Sequence, residues 1–364
     1  MAKKIIIAGG GTGGHIFPAI AIGNALKQLD PENEILFVGA KGKMEMEKVP
    51  QAGYKVIGLD IAGFNRSSLI KNIGLPLKLV KSFFQVRSII NDFKPDAVVG
   101  VGGYSSFPVL RYAQAKGIPT FIHESNSFAG KSNILLGKKA NKVFVATDGM
   151  NKFFPENKIV VTGNPIRPSI ANVAYISKSE ALRFFGLNEG KMTVLAVGGS
   201  LGARSINQAL AEHLPEFKKY GLQLIWQTGK NDAQKWKDAA ASEENVWVDE
   251  FITQMEYAYA AADIVISRAG AMAVAELCVV QKPVVFVPFP YAAEDHQTAN
   301  AVNLVQKGAA CMVTDAEAKE KAVATVIELV QDENRREQLI RNIRMQAVLN
   351  ADEVIAGVIL NSIS

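Results

Sequence analysis

Short, unbroken apolar runs recur along this chain, with helical patterns between them. Residues 5–8 (IIIA) open the series, a glycine-rich segment follows, and an apolar helical stretch runs from Phe17 to Leu29. EILFVG (34–39), DAVVGVG (96–102), TFIHE (120–124) and KVFVAT (142–147) continue it. Runs that are apolar at consecutive positions belong to parallel strands covered by helices on both faces. After Asn164-Pro165 and Arg167-Pro168, whose prolines mark a linker, the series restarts. MTVLAVGGS (192–200), LQLIWQT (222–228), NVWVDE (245–250), DIVIS (263–267) and PVVFVP (283–288) form the second set. Each half opens as strand, glycine loop, helix. The predicted fold is α/β: two Rossmann-like, doubly wound parallel-sheet domains facing across a cleft, residues 1–165 and 166–343. Residues 344–364 carry a last apolar helical pattern with no strand after it.

Composition narrows the class. With 364 residues, 48% hydrophobic and 21% charged, the chain has enough apolar material for two cores. Two cysteines exclude a disulfide scaffold, and four histidines without an H-E-x-x-H pair exclude a zincin. The apolar run after Lys3-Lys4 stops at Gly9, too short for a signal peptide, and no stretch is long enough to span a membrane. A cytosolic protein that rests on a membrane surface is expected. The net charge is +5, and residues 64–94 hold six basic residues (Arg66, Lys71, Lys78, Lys81, Arg87, Lys94) against Asp92. Nucleic acid and anionic lipid are thus both candidate partners.

Ligands of doubly wound sheets bind in the loops after strands, which is where the unusual residues fall. Gly9, Gly11 and Gly14 satisfy G-x-G-x-x-G and would bring backbone N–H groups to an anion at a helix N-terminus. The second strand ends Val38-Gly39-Ala40-Lys41 without the acid that a dinucleotide ribose requires, which disfavours NAD. His15, at the mouth of this loop, is a candidate base for a substrate hydroxyl. SNSFAGKS (125–132) fails as a P-loop because Ser125 stands where glycine is needed. VGGSLGARS (197–205) and SRAGA (267–271) supply two further loops before helices. No D-x-D pair is present to grip a metal diphosphate, so a leaving diphosphate would be met by helix dipoles, N–H groups and a cation such as Arg167. No cofactor or metal is expected. Around 75–90, Leu75, Leu79, Phe83 and Phe84 lie among Lys78 and Lys81: a core-facing helix with solvated lysines, or a basic amphipathic surface for lipid headgroups. Aromatic spacing suited to stacking nucleic-acid bases is missing.

Seven motifs in order carry a resemblance: GGGTGGHIFPAIAI (9–22), VGVGGYSSFP (100–108), HESN-x-x-AG (123–130), GNPIR (163–167), GGSLGARSIN (198–207), SRAGAMAVAE (267–276) and EDHQTANA (294–301). Together they resemble the MurG family of peptidoglycan glycosyltransferases over nearly the whole chain. The resemblance implies a metal-independent, inverting enzyme of the GT-B type. It would move N-acetylglucosamine from UDP-GlcNAc to lipid I, undecaprenyl-diphosphate-MurNAc-pentapeptide, on the cytoplasmic face of a bacterial plasma membrane. The final helix, 344–364, would pack back on the N-terminal domain.

Carried over by position, the resemblance implies that Thr12, Gly13 and Gly14 face the donor sugar and acceptor diphosphate, and that Asn126 contacts the sugar. Arg167 and Ser200 would approach the donor diphosphate, and the backbone of Ile252 would read uracil. Ala271, Met272, Ala273, Val274, Ala275 and Glu276 would hold phosphate and ribose, with Glu276 on the ribose hydroxyls, and Gln297 would bind a sugar hydroxyl. Gly103 and Tyr104 would lie on the acceptor side. His15 is the candidate base and Glu124 a second catalytic candidate. Ser125, Ala273 and His296 depart from the family pattern without removing the backbone cradles. The rival readings are a non-hydrolysing UDP-GlcNAc 2-epimerase, which shares the architecture, and a membrane-surface scaffold without catalysis.

Overall fold

A computed structural model describes residues 2–62 and 75–363, with backbone alone for 75–77. Arg66, Lys71 and the Leu75 side chain lie outside the described residues. The chain divides into two compact units, Met1–Ile166 with Asn350–Ser364, and Arg167–Leu349.

The first unit runs β1 (Lys4–Ala8), α1 (Gly13–Leu29), β2 (Glu34–Ala40), α2 (Glu45–Gln51), β3 (Lys55–Leu59), α3 (Leu75–Phe93), β4 (Ala97–Gly100), α4 (Ser106–Ala115), β5 (Thr120–Glu124), α5 (Lys131–Gly137), β6 (Lys142–Val145) and β7 (Ile159–Val161). Its strands form one parallel sheet in the order β3-β2-β1-β4-β5-β6-β7. The consecutive isoleucines of β1 have a plain reason. Ile6 packs with Val86, Ile90, Val109 and Leu110 on one face, while Ile5 and Ile7 pack with Ile16, Ile22 and Leu26 on the other. Both faces are covered, so a polar residue has no outward position to take.

The second unit begins with α6 (Pro168–Ala171) and α7 (Lys178–Phe184). It continues with β8 (Thr193–Val197), α8 (Arg204–Glu212), α9 (Leu214–Lys219), β9 (Gln223–Gln227), α10 (Ala233–Ala240), β10 (Val246–Asp249), α11 (Met255–Ala261), β11 (Ile264–Ser267) and α12 (Ala271–Val280). Then come β12 (Val284–Phe286), α13 (His296–Gln306), β13 (Cys311–Met312), α14 (Ala318–Gln331) and α15 (Glu333–Arg344). The sheet order is β10-β9-β8-β11-β12-β13, again parallel throughout. In both sheets the order reverses beside the unit's first strand, between β1 and β4 and between β8 and β11.

Two expectations change. Helix α1 starts at Gly13, not Phe17, so Gly13, Gly14 and His15 form its first turn and the loop proper is Gly9–Thr12. The pattern expected as one helix over 344–364 is broken. Helix α15 ends at Arg344 and α16 (Ala351–Ser362) begins after a segment whose Met345 and Leu349 are 72% and 61% exposed, apolar residues that no packing stabilises. Helix α16 belongs to the first unit, where Ile355, Ala356 and Ile359 are fully buried in the cluster with Ile16, Ile22 and Leu26. The Lys3 ammonium donates to the Ile363 carbonyl at 2.6 Å, closing the terminal turn.

Truncating Ile355 to alanine should therefore cost about 2–5 kcal/mol, the usual range for emptying a core site. Val354→Ala, 37% exposed on the same helix, should cost about 0.5 kcal/mol or less. Urea unfolding of the two variants measures the difference. Equal costs would mean that α16 does not stabilise its unit.

Candidate active site

At the β1/β4 reversal, two glycine loops meet. Gly9 donates to the Val38 carbonyl at 3.0 Å and Gly10 to the Gly102 carbonyl at 3.3 Å, tying the loop after β1 to its neighbours. Thr12 caps α1 with extended backbone, and its carbonyl accepts from His15 and Ile16, both at 3.1 Å. Among the described residues no acceptor meets the N–H groups of Thr12, Gly13 and Gly14. They stand at the positive end of a 17-residue helix, an arrangement that suits an anion.

His15 is half-buried, with Nδ1 3.1 Å from the Gly10 carbonyl and 3.3 Å from the Thr12 hydroxyl. A carbonyl only accepts, so this contact calls for a hydrogen on Nδ1, which in the neutral ring places the lone pair on Nε2. Gly103 and Tyr104 lie in the loop after β4, beside the same reversal. The Tyr104 hydroxyl is buried without a hydrogen-bond partner among the described residues, and burial, then the Glu45 charge, pushes its pKa up.

Glu45 is a residue that pattern reading missed. It is 2% exposed at the start of α2, and it accepts from Gly11 N and Ala40 N, both at 2.9 Å. The only local signal was an acid shortly after a strand. Its partner Gly11 lies 34 residues away and is brought to it by sheet order.

Glu124, a catalytic candidate, is 4% exposed and committed to its own loop. One oxygen accepts from Gly130 N at 3.0 Å and Asn133 Nδ2 at 2.8 Å, the other from Asn126 N at 3.1 Å and Asn126 Nδ2 at 3.3 Å. With its lone pairs occupied, this carboxylate holds Asn126 and the start of α5 in place, and proton transfer is not what the geometry favours. Its neighbour His123 is buried in β5, and burial, opposed by Gly163 and Asn164 and reinforced by His15, pushes the imidazole down to about 4.

In the second unit, the loop after β8 carries Ser200, exposed, with its carbonyl accepting from Lys230 N at 3.1 Å. This turn demands glycine at 202: φ is +82°, and a Cβ would sit 2.1 Å from the Thr228 carbonyl oxygen. At the β8/β11 reversal, Gly270 caps α12, which presents Ala271, Met272, Ala273, Val274 and Ala275 before Glu276. Glu276 is 6% exposed. Arg167 donates to its Oε1 from Nη2 at 2.8 Å and Nε at 3.0 Å, and the Tyr259 hydroxyl donates to Oε2 at 3.1 Å. Burial raises the Glu276 pKa; these partners pull it back. Arg167 and Glu276 were expected at different parts of a donor nucleotide, and here they hold one another.

Other site residues are also engaged. The Ile252 N–H donates to Gln227 Oε1 at 3.1 Å, so of its two backbone polar groups only the carbonyl could read a ligand N–H. Gln297 Oε1 accepts from Phe289 N at 3.0 Å, leaving its amide NH2 as a donor. Arg268 is spent on structure, donating to the Val287 and Pro288 carbonyls at 2.9 and 3.1 Å and to Asp315 at 2.6 Å, and so joins the loops after β11, β12 and β13.

Helix α3 resolves into two parts. Val86, Ile89 and Ile90 enter the core, while Leu79, Val80 and Phe84 stand 37%, 54% and 67% exposed beside the exposed Lys78 and Arg87. Phe83 is half-buried. Lys81 is paired with Asp60 at 3.0 Å, and Lys41 meets the same carboxylate at 2.7 Å, so Asp60 is held down to about 2. Among the described residues, no helix is long and apolar enough to cross a membrane, and no group of three or more His, Cys, Asp or Glu residues is arranged to hold a metal ion.

Residues 5–145 match the glycosyltransferase family 28 N-terminal domain, and residues 193–355 match the family 28 C-terminal domain. With two parallel α/β sheets beneath them, these matches define a glycosyltransferase of the GT-B type. A UDP-N-acetylglucosamine–N-acetylmuramyl-(pentapeptide) pyrophosphoryl-undecaprenol N-acetylglucosamine transferase from Parabacteroides distasonis is 51% identical over 360 residues, 98% of this chain and 97% of that one. The crystal structure of Acinetobacter baumannii MurG matches with a TM-score of 0.81 at 28% identity, over 99% of both chains. The chain belongs to the MurG family. A UDP-GlcNAc 2-epimerase from Neisseria meningitidis, bound to UDP-GlcNAc, matches with a TM-score of 0.67 over 98% of this chain and 100% of that one. At 16% identity it shares the fold alone.

The depressed His123 pKa has a sign that can be tested. The unfolded chain protonates near pH 6.5 and the folded one near 4, so the neutral imidazole's contribution is complete above pH 6.5 and is lost as pH falls to 4. The loss is about 3 kcal/mol. Urea unfolding between pH 7 and 4.5 should therefore be less pH-dependent in His123→Leu than in the parent. An identical slope would assign the acid sensitivity to another group.

Proposed function

We propose that this chain transfers N-acetylglucosamine from UDP-GlcNAc to the MurNAc hydroxyl of undecaprenyl-diphosphate-MurNAc-pentapeptide, forming lipid II with inversion at the anomeric carbon. The observation that carries this reading is identity of 51% across 98% of the chain with a transferase of that name. The 2-epimerase alternative rests on fold alone, and a scaffold would have no use for the loops at both strand-order reversals.

The chemistry needs a base for the acceptor hydroxyl, charge stabilisation for departing UDP, and an anchor for the acceptor diphosphate. His15 Nε2 is the base. The N–H groups of Thr12, Gly13 and Gly14, at the start of α1, take the acceptor's diphosphate, with Gly103 and Tyr104 alongside. Asn126, positioned by Glu124, meets the transferred sugar. The start of α12 receives the donor diphosphate, with Ser200 beside it, and stabilises the charge as UDP leaves. The Ile252 carbonyl takes the uracil N–H, and the Gln297 amide takes a sugar hydroxyl. Glu276 exchanges its present partner Arg167 for the ribose hydroxyls, which frees the guanidinium for the diphosphate.

The exposed apolar side chains of α3 suit the headgroup region of an anionic lipid surface, where the acceptor is anchored. Lys78 and Arg87 supply the attraction, since Lys81 is neutralised by Asp60.

Replacing Glu276 with alanine should weaken UDP binding roughly 10- to 150-fold, the worth of a charged hydrogen bond. Calorimetry with UDP tests this, and an unchanged affinity would remove Glu276 from the ribose. On vesicles containing anionic lipid, the Lys78→Glu, Phe84→Ser double variant should co-sediment less than the parent, most clearly at low salt. It should retain activity on a soluble, short-chain acceptor. Equal co-sedimentation would return α3 to an ordinary packed helix.

A further inference from the structure

The Gly10–Gly11 peptide unit is gripped at both ends. Its N–H, on Gly11, donates to Glu45 Oε2 at 2.9 Å, and its carbonyl, on Gly10, accepts from His15 Nδ1 at 3.1 Å. One planar, polarisable group therefore links a buried carboxylate to an imidazole. The second Glu45 oxygen accepts from Ala40 N at 2.9 Å, which fixes the carboxylate in the sheet frame. A Cβ on Gly10 would lie 2.5 Å from the Glu45 carboxyl carbon, so only glycine lets the carboxylate rest against this peptide. The bond from Gly10 N to the Gly102 carbonyl holds the same turn from the other side.

We infer that Glu45 is a positioning residue for His15, acting through the Gly10–Gly11 peptide to hold the imidazole as its Nδ1–H tautomer and to support the imidazolium. The inference rests on the reading of His15 as the base. The charged hydrogen bond at the N–H end draws electron density along the peptide toward the Gly10 oxygen. That oxygen becomes a stronger acceptor for Nδ1–H. When Nε2 takes the hydroxyl proton, the new positive charge faces a strengthened carbonyl and, one peptide further, a carboxylate. The logic is that of a carboxylate–imidazole pair with a peptide inserted between the partners.

Among the described residues of this unit, the titratable groups near His15 include Glu45 from α2, Tyr104 from the loop after β4, and His123 from β5. Tyr104 is kept protonated by burial and by the Glu45 charge, and His123 is kept neutral by burial. Of these three, Glu45 is the group able to favour a cation on His15.

Nitrogen-15 NMR of the imidazole nitrogens tests this on the full chain. There are four histidines, and His15→Asn identifies the signals of His15. The parent should show neutral His15 protonated at Nδ1 with a lone pair on Nε2. Glu45→Gln should lower the His15 titration by roughly half a unit, less than the 1–3 units of direct contact. It should also lower kcat up to roughly 3-fold, the factor that half a unit represents, with KM for UDP-GlcNAc unchanged and the acid limb of the pH–rate profile moving with the NMR titration. Glu45→Asp keeps the charge but is one methylene shorter, and should recover part of the shift. A neutral parent His15 protonated at Nε2 overturns the inference, and so does a folded Glu45→Gln whose His15 titration does not move. Should Glu45→Gln fail to fold, the tautomer in the parent decides. Full activity in His15→Asn with the expected NMR behaviour would instead refute His15 as the base and leave the Glu45–His15 coupling standing.

Discussion

A parallel sheet whose strand order reverses leaves one place on its carboxyl edge that no connection can cover, and the rest of this protein is arranged around that constraint. Each strand must be joined to the next by a crossover that packs on one face. Beside β1 and beside β8 the crossovers leave in opposite directions, so adjacent loops diverge. Backbone ends that would be buried elsewhere stay accessible there. In each unit these points gather glycine turns, a helix start and groups with hydrogen-bonding capacity. The same solution is used twice, on two sheets that differ in length and in side chains.

Buried carboxylates show how each point is held. Glu45, Glu124 and Glu276 are all nearly inaccessible, and a buried charge is tolerated only when its oxygens are well bonded. Their partners differ in kind. Glu45 takes backbone N–H groups, and Glu124 takes backbone N–H groups with the amides of Asn126 and Asn133. Main-chain donors cannot leave without unmaking the loop, so these two acids are fixtures. Glu276 is held by two side chains: Arg167, which is partly exposed, and Tyr259, which is itself buried in the core. Its bond to Arg167 can be exchanged without unmaking a loop, which separates it from the other two, and on the proposed reading a ribose hydroxyl takes that place.

Helix α3 combines two demands. Its later turns hold a place in the first unit's core through Val86, Ile89 and Ile90. The exposed Leu79, Val80 and Phe84 gain nothing from that core. Among the described residues nothing covers them, and the proposed lipid surface would suit both these side chains and the charge of Lys78 and Arg87.

Inner strands were legible from sequence because both faces of a central parallel strand are buried, which writes unbroken apolar runs such as IIIA (5–8) and IVI (264–266). Strands β3, β7 and β13 were not read: β3 is interrupted by Lys55 and Gly58, and β7 and β13 are only three and two residues long. All three lie at sheet edges, where Lys55, Ile57 and Val161 are exposed. The glycine loops, His15 and the start of α12 could also be read, since turn geometry and helix starts are encoded by neighbouring residues. Legible only in part was α1, whose first turn uses glycines that propensity assigns to a loop. What the sequence could not display is which groups meet: Glu45 with Gly11 across 34 positions, Arg167 with Glu276 across 109. Periodicity and turn chemistry are local and survive in the order of residues. The pairing of buried charges depends on strand order and crossover direction, so only the tertiary structure decided that Glu45 and Glu124 would brace loops while Glu276 would face an exchangeable partner.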